Sequence, residues 1–308
     1  MMKEIVFKGR TGILMENGVL RVIVLPELGG KVASIYHKEK GFEFLFQNKE
    51  DVYRKPSLYA DFAQYDASGF DDCFPTIDSS IVKYKDQDVT YPDHGEIWSA
   101  EFNYFMNGQA LFLSYTSKIL PYTYQKDISL GDDTLHLNYA ITNFGDEPIK
   151  CIWALHCLLN CYEDMEIIFP PSTTEVVNVS SGLLGAEGTI HPFPVTRTVD
   201  GRSYRLDRVW PANSGICCKY YLSHRIENGI CGVYYPASDL RLNIRYDPEV
   251  LPYLGFWVTA GGYRGDYNCA LEPCNGFYDS IDKAERERKL YSLEPGTTLK
   301  FSVKLTVS

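Results

Sequence analysis

The chain has 308 residues, a formal net charge of -10 and a pI near 5.1, with 45% apolar and 23% charged residues. That balance belongs to a folded chain rather than a disordered one. The acidic surface, without any long Lys/Arg run, argues against nucleic acid and anionic membranes as partners and makes a heavily phosphorylated substrate a poor fit.

Taken in chain order, residues 1–7 lack the long apolar stretch of a signal peptide and no run of 18 apolar residues occurs, so a cytoplasmic location is expected. Period-2 alternation of apolar and polar residues recurs throughout. It is clearest over 18–25 (GVLRVIVL), 110–115, 134–141 (TLHLNYAI), 230–235, 240–246 (LRLNIRY) and 299–307 (LKFSVKLTV). Turn signals stand between such runs, at 16–18, 107–108, 131–133, 143–146 and 294–296. Residues 51–70 and 281–288 break the pattern and are expected to hold a short helix or an ordered loop. No linker, repeat or low-complexity segment marks a boundary. The expectation is an all-β fold, one large antiparallel β-sandwich domain over 1–308. The 23 Tyr, 16 Phe and 4 Trp fit pleated, half-buried surfaces and offer flat apolar faces to a sugar ring.

Four segments could carry chemistry. In Tyr91-Pro92-Asp93-His94-Gly95-Glu96, Pro and Gly put His94 on a loop or strand start, where functional side chains are often presented. Residues 149–160 (IKCIWALHCLLN) read as one central strand, with His156 and Asn160 on one face. A histidine there is either a hydrogen-bonded core residue or a proton-transfer group on a rigid support. In 267–277 (YNCALEPCNGF), Glu272 ends an apolar run before Pro273. It either turns into solvent or faces a cavity, where desolvation would raise its pKa toward that of a useful base. In 68–76 (SGFDDCFPT), Asp71 and Asp72 could accept sugar hydroxyls or sit in a solvated turn. The nine cysteines, scattered through apolar segments, read as reduced and buried. On a strand, Cys151, Cys157 and Cys161 face away from His156, so no zinc site is expected there.

These pieces, in this order, resemble the aldose 1-epimerase (galactose mutarotase-like) family over nearly the whole chain. Val24-Leu25-Pro26-Glu27-Leu28-Gly29-Gly30 resembles the early strand pair with its glycine turn, and His94-Gly95 the first histidine motif. His156 followed four residues later by Asn160 resembles the second motif, Glu272 stands at the late glutamate, and Leu293-Glu294-Pro295-Gly296 resembles the turn before the last strand. The resemblance implies a large β-sandwich with the sugar in an open cleft and a cofactor-independent isomerase that interconverts α and β anomers. Glu272 would take the proton of the anomeric hydroxyl and His156 would protonate the ring oxygen. His94, Asp71, Asp72, Asn160 and Arg245 would contact the sugar, with Asp247 a further candidate. Two departures stand out. Family members carry an Asn-Arg pair where this chain has residues 69–75 (GFDDCFP), and a Pro where it has Cys157.

Three other functions fit some of these residues. A glycoside hydrolase would pair Glu272 with Asp72 or Glu96 across a scissile bond. A metal-dependent sugar isomerase would use His94, Glu96 and His156. A non-catalytic sugar-binding protein is the third, because fold does not fix function. The expected partner is a small-molecule sugar, with no metal and no cofactor, and the chain is expected to be a monomer or homodimer.

Overall fold

The computed structural model describes residues 1–65 and 67–308. Among the described residues, two large antiparallel sheets form the body of the molecule. The larger has twelve strands. It begins with the meander Met2–Phe7, Arg10–Glu16, Leu20–Leu25 and Lys31–His37, the last also pairing Phe42–Glu43. It continues in spatial order through Phe70–Cys73, Ala154–Asn160, Tyr267–Cys274, Tyr253–Ala260, Ile216–Leu222, Glu175–Asn178 and Ile190–Pro192. The smaller, of eight strands, runs Glu166–Ile168, Ile230–Tyr235, Leu240–Tyr246, Thr298–Val307, Thr134–Asn143, Tyr122–Leu130, Ala110–Thr116 and Asn103–Asn107.

The alternation in the sequence explains the smaller sheet. Leu135, Leu137, Tyr139 and Ile141 on one strand, and Leu299, Phe301, Val303, Leu305 and Val307 on its neighbour, are buried while the residues between them reach the surface. They share one hydrophobic cluster with Ile13, Val22, Val32 and Leu271 of the larger sheet, which makes the pair a sandwich. The central strands of the larger sheet read differently because both of their faces are covered. Ala154–Asn160, Tyr253–Ala260 and Tyr267–Cys274 are buried almost without interruption, one face on the core and the other beneath loops.

The segment expected as one strand over 149–160 is two. Ile149–Cys151 pairs with Tyr291–Leu293, and Ala154–Asn160 enters the large sheet. At the break, backbone N–H groups leave the ladder: Ile152 donates to Pro75 O (2.7 Å) and Trp153 to Asn275 Oδ1 (2.7 Å). Buried Trp153 also donates from Nε1 to Tyr124 Oη at 2.7 Å, which fixes the turn of the chain between the two layers. Alternation could not reveal this break, since both halves are apolar. The stretch 51–70 contains a single 3-10 turn, Phe62–Gln64, capped by Asp61, whose side chain accepts from Ala63 N; residue 66 of that stretch lies outside the described residues. The stretch 281–288 contains the helix Ile281–Arg286, capped by Ser280. No helix among the described residues is long and apolar enough to cross a membrane.

Candidate functional site

The covered face of the larger sheet carries a polar cluster. In the cross-strand register Tyr221 stands opposite Gly255 and Gly255 opposite Glu272; two pairs further along, Lys219 stands opposite Trp257 and Trp257 opposite Ala270. Residues directly opposite on neighbouring strands project to the same face. Glu272, Lys219, Tyr221 and Trp257 are therefore brought together by pairing alone, although they come from three strands. His156 joins the same cavity from Ala154–Asn160, the strand on the other side of Glu272.

Gly255 is the gap that lets these long side chains meet. A Cβ at that position would lie 2.8 Å from the Tyr221 ring and 3.1 Å from Glu272 Oε2. Through the gap, Lys219 Nζ reaches Glu272 Oε2 and Asp279 Oδ1, each at 2.9 Å, and Tyr221 Oη donates to Asp279 Oδ1 at 2.8 Å. Glu272 is 1% exposed, and its other oxygen, Oε1, accepts no hydrogen bond from the described residues.

Three loops close the cavity over this floor. His94 has a left-handed backbone (φ 58°), and Gly95 after it (φ 77°) packs so tightly on Phe74 that a Cβ would lie 2.2 Å from the Phe74 carbonyl oxygen. Glycine at position 95 is thus a backbone requirement. His94 N donates to Ile77 O (2.6 Å), and the amides of Ile77 and Asp78 donate to Asp279 O (3.2 and 2.7 Å), so the loops are tied to one another. The His94 ring stacks on Phe62 at 3.9 Å and 10°, and its Nδ1 lies 2.9 Å from Asp93 Oδ1. With Nδ1 donating to Asp93, Nε2 is the acceptor nitrogen and has no hydrogen bond among the described residues. His94 and His156 meet edge to face with ring centroids 5.1 Å apart.

The cavity is small, about 210 Å³, and is lined by His94, His156, Glu272, Lys219, Asp279 and Asp78 among apolar walls that include Phe62, Leu158 and Trp257. Its electrostatics follow from burial. Desolvation pushes the Glu272 carboxyl above its ordinary pKa; the Lys219 ammonium opposes this and Asp279 reinforces it. Desolvation pulls the His156 imidazole well below its ordinary value, and positive charge on His94, Lys219 and Lys31 adds to that. Its Nδ1 is buried with no hydrogen-bond partner among the described residues. For Lys219 burial alone would lower the pKa, but Asp279 and Glu272 outweigh it and the net shift is upward. The site therefore sets the Lys219 ammonium between two carboxyl groups, facing two imidazole rings.

His94, His156 and Glu272, the three residues singled out for acid–base chemistry, all line this cavity. The other candidates do not. Asp71 stands opposite His156 on the next strand, but its Oδ2 goes to buried Lys31 at 2.5 Å. Asp72 points to the opposite side of the sheet, where it meets Lys126 Nζ (2.9 Å) and Tyr139 Oη (3.0 Å). Asn160 donates to the carbonyls of Glu43 and Leu45, both at 3.0 Å, and ties a neighbouring segment to the sheet. Arg245 is exposed on the smaller sheet, opposite Ile230 and Lys304, and Asp247 caps a turn by accepting from Glu249 N. Glu96 directs its carboxylate to Tyr115, Ser117, Tyr122 and the Lys118 amide, at 2.6 to 2.8 Å.

Lys219, Asp279, Asp78 and Trp257 are the cavity residues that sequence reasoning missed. One signal was available for Lys219: it is the only charge in the otherwise apolar and aromatic strand Ile216–Leu222 (ICCKYYL), and a lone ammonium there needs a partner.

Known structures share the architecture. A protein from Synechocystis sp. PCC 6803 superposes with a TM-score of 0.74 at 18% identity, covering 100% of this chain and 99% of that one. A galactose mutarotase-like protein from Clostridium acetobutylicum gives a TM-score of 0.72 at 15% identity, covering 100% and 98%. A galactose mutarotase-like protein from Lactobacillus casei ATCC 334 gives 0.71 at 15%, covering 96% and 100%. At these identities the likeness shows the galactose mutarotase-like sandwich fold alone. A search of curated proteins finds no significant match. A family model does match, over residues 8–234, and the chain belongs to that family, described as a domain of unknown function (DUF5107).

Proposed function

We propose that the protein is an aldose 1-epimerase that interconverts the anomers of a free sugar. The observation that supports this reading is the meeting of His94, His156 and Glu272, from three distant segments, around one cavity of about 210 Å³. That volume falls below the usual range for drug-sized ligands and suits one sugar ring rather than an oligosaccharide. The rival assignments lose a partner: Asp72 and Glu96 are committed to buried donors elsewhere, so neither completes a hydrolase pair with Glu272 or a metal triad with the two histidines.

The chemistry is two coupled proton transfers. Glu272, through Oε1, which has no hydrogen bond or ion pair among the described residues, takes the proton of the anomeric O1 hydroxyl. The O–H electron pair forms the C1–O1 double bond, the C1–O5 bond breaks, and O5 takes a proton from His156. Rotation about C1–C2 presents the other face of the aldehyde, and the same transfers in reverse close the ring. The competent enzyme thus has Glu272 ionised and one proton on His156, a distribution that burial disfavours at both residues. His94 orients the ring from above, and Trp257 offers it an apolar face.

The test is anomer exchange, by polarimetry or anomeric NMR, over a panel of free aldoses and sugar phosphates. Glu272→Gln is expected to bind sugar but lose about 10²- to 10⁴-fold of the enzyme-dependent rate. Full activity in that variant would reject the mechanism. Sugar binding without acceleration in the wild type would favour a binding protein instead.

A further inference from the structure

Lys219 lies at the centre of the site and has no part in the two proton transfers. Its ammonium is held at 2.9 Å from both Glu272 Oε2 and Asp279 Oδ1, and Asp279 is braced in turn by Tyr221 at 2.8 Å. The arrangement depends on Gly255, whose missing side chain leaves room for Lys219 and Tyr221 to reach across an intervening strand. The pairing is also asymmetric, because the ammonium sits 2.9 Å from Oε2, whereas Oε1 has no hydrogen bond or ion pair among the described residues.

We propose that Lys219 is a positioning residue that holds Glu272 as a carboxylate, with Oε1 turned to the substrate, so that the proton shared by Glu272 and His156 rests on His156. This deepens the epimerase reading and rests on it for its catalytic meaning. The physical reason is competition. A carboxyl 1% exposed gains from being neutral, and an imidazole 8% exposed gains from being neutral, so burial moves one proton shared between them toward the carboxyl, and a fixed positive charge beside the carboxyl opposes that. Lys219, 2.9 Å from Glu272 Oε2, is that charge; it also weighs against a proton on His156, where burial is the larger cause. The other titratable groups around Glu272 are Asp279 from the following loop, Asp78 and His94 from the rim, His156 from the adjacent strand, Tyr221, and the buried thiols of Cys73 and Cys274. Among them Asp279 disfavours an ionised Glu272; positive charge on His94 favours it, after the nearer Lys219, and the thiols and phenol do not hold it. Asp279 has a second role, since its charge anchors the ammonium in place.

Carboxyl NMR on protein labelled with carboxyl-13C glutamate reads this directly, with the Glu272 resonance assigned by its loss in Glu272→Gln. Lys219→Met is expected to raise the Glu272 titration midpoint by at least about one unit, the scale of a lost adjacent charge. Lys219→Arg retains a cation and is expected to hold the midpoint near the wild-type value. Asp279→Asn removes an opposing negative charge and is expected to lower it. A general loosening of the site cannot produce shifts of opposite sign. In anomer exchange, Lys219→Met is expected to lose about tenfold or more in kcat with little change in KM, because the lost term is the competent protonation state and not sugar contact. A Glu272 midpoint that stays put in both Lys219→Met and Asp279→Asn would overturn the assignment of Lys219, whatever the activity. A wild type that accelerates no sugar would overturn the epimerase reading and leave the titration result standing.

Discussion

Replacing Lys126 by Met removes one half of a fully buried ion pair and tests whether Asp72 serves the fold or the ligand. Lys126 and Asp72 are both 0% exposed at their side chains, and Lys126 also approaches the ring of Phe70 at 4.7 Å. In the variant, Asp72 keeps the Tyr139 hydroxyl at 3.0 Å but has no counter-charge inside the core. Stranding one partner of a buried pair costs about 3–5 kcal/mol. A chain of 308 residues unfolds with an entropy of about 0.65 kcal/mol/K, so the expected fall in Tm is about 5–8 °C. Adding Asp72→Asn removes the stranded charge and keeps an acceptor for Tyr139, and is expected to recover most of the loss. The assay is differential scanning calorimetry of the two single variants and the double variant, with sugar affinity measured alongside. An unchanged Tm in Lys126→Met, or a double variant no more stable than that single one, would refute the reasoning. Loss of sugar affinity in Asp72→Asn at unchanged Tm would return Asp72 to the ligand.

Two further outcomes follow from the site. Gly255→Ala forces a methyl to within 2.8 Å of Tyr221 and 3.1 Å of Glu272, so Tyr221 is expected to shift and loosen its hold on Asp279; kcat should fall while Tm drops by the equivalent of about 1–3 kcal/mol. The enzyme-dependent rate is expected to be bell-shaped in pH once the uncatalysed rate is subtracted. At low pH Glu272, whose pKa is raised by burial, and His156 both carry protons and the base is lost; at high pH both are bare and the acid is lost. A rate that rises monotonically with pH would show that His156 donates no proton.

The sandwich was legible because alternation reports one buried face. Residues 230–235 and 240–246 are strands at those bounds, and 299–307 gains one residue at its start. Where both faces are covered the signal fails: 149–160 is apolar at most positions without a clear alternation and conceals a break at Ile152 and Trp153, which only the partners from Pro75 and Asn275 define. His156 and Glu272 both line the cavity, a placement that the residues around them left open against a core histidine and a solvent-facing carboxylate.

The sequence by itself determined that the chain is an antiparallel β protein with two histidines and a late glutamate presented by rigid strands and a glycine-pinned loop, because these are properties of local backbone and period. Tertiary structure alone decided what each polar group faces. Asp71 and Asp72 are adjacent and chemically identical, yet the pleat sends one to Lys31 and the other through the sheet to Lys126. Lys219 and Asp279 join Glu272 only because Ile216–Leu222 and Tyr267–Cys274 flank a third strand that carries Gly255 at their meeting point. A charge's partner across a sheet depends on strand order and register, which are set by the packing of the whole core and leave no mark in the residues beside it.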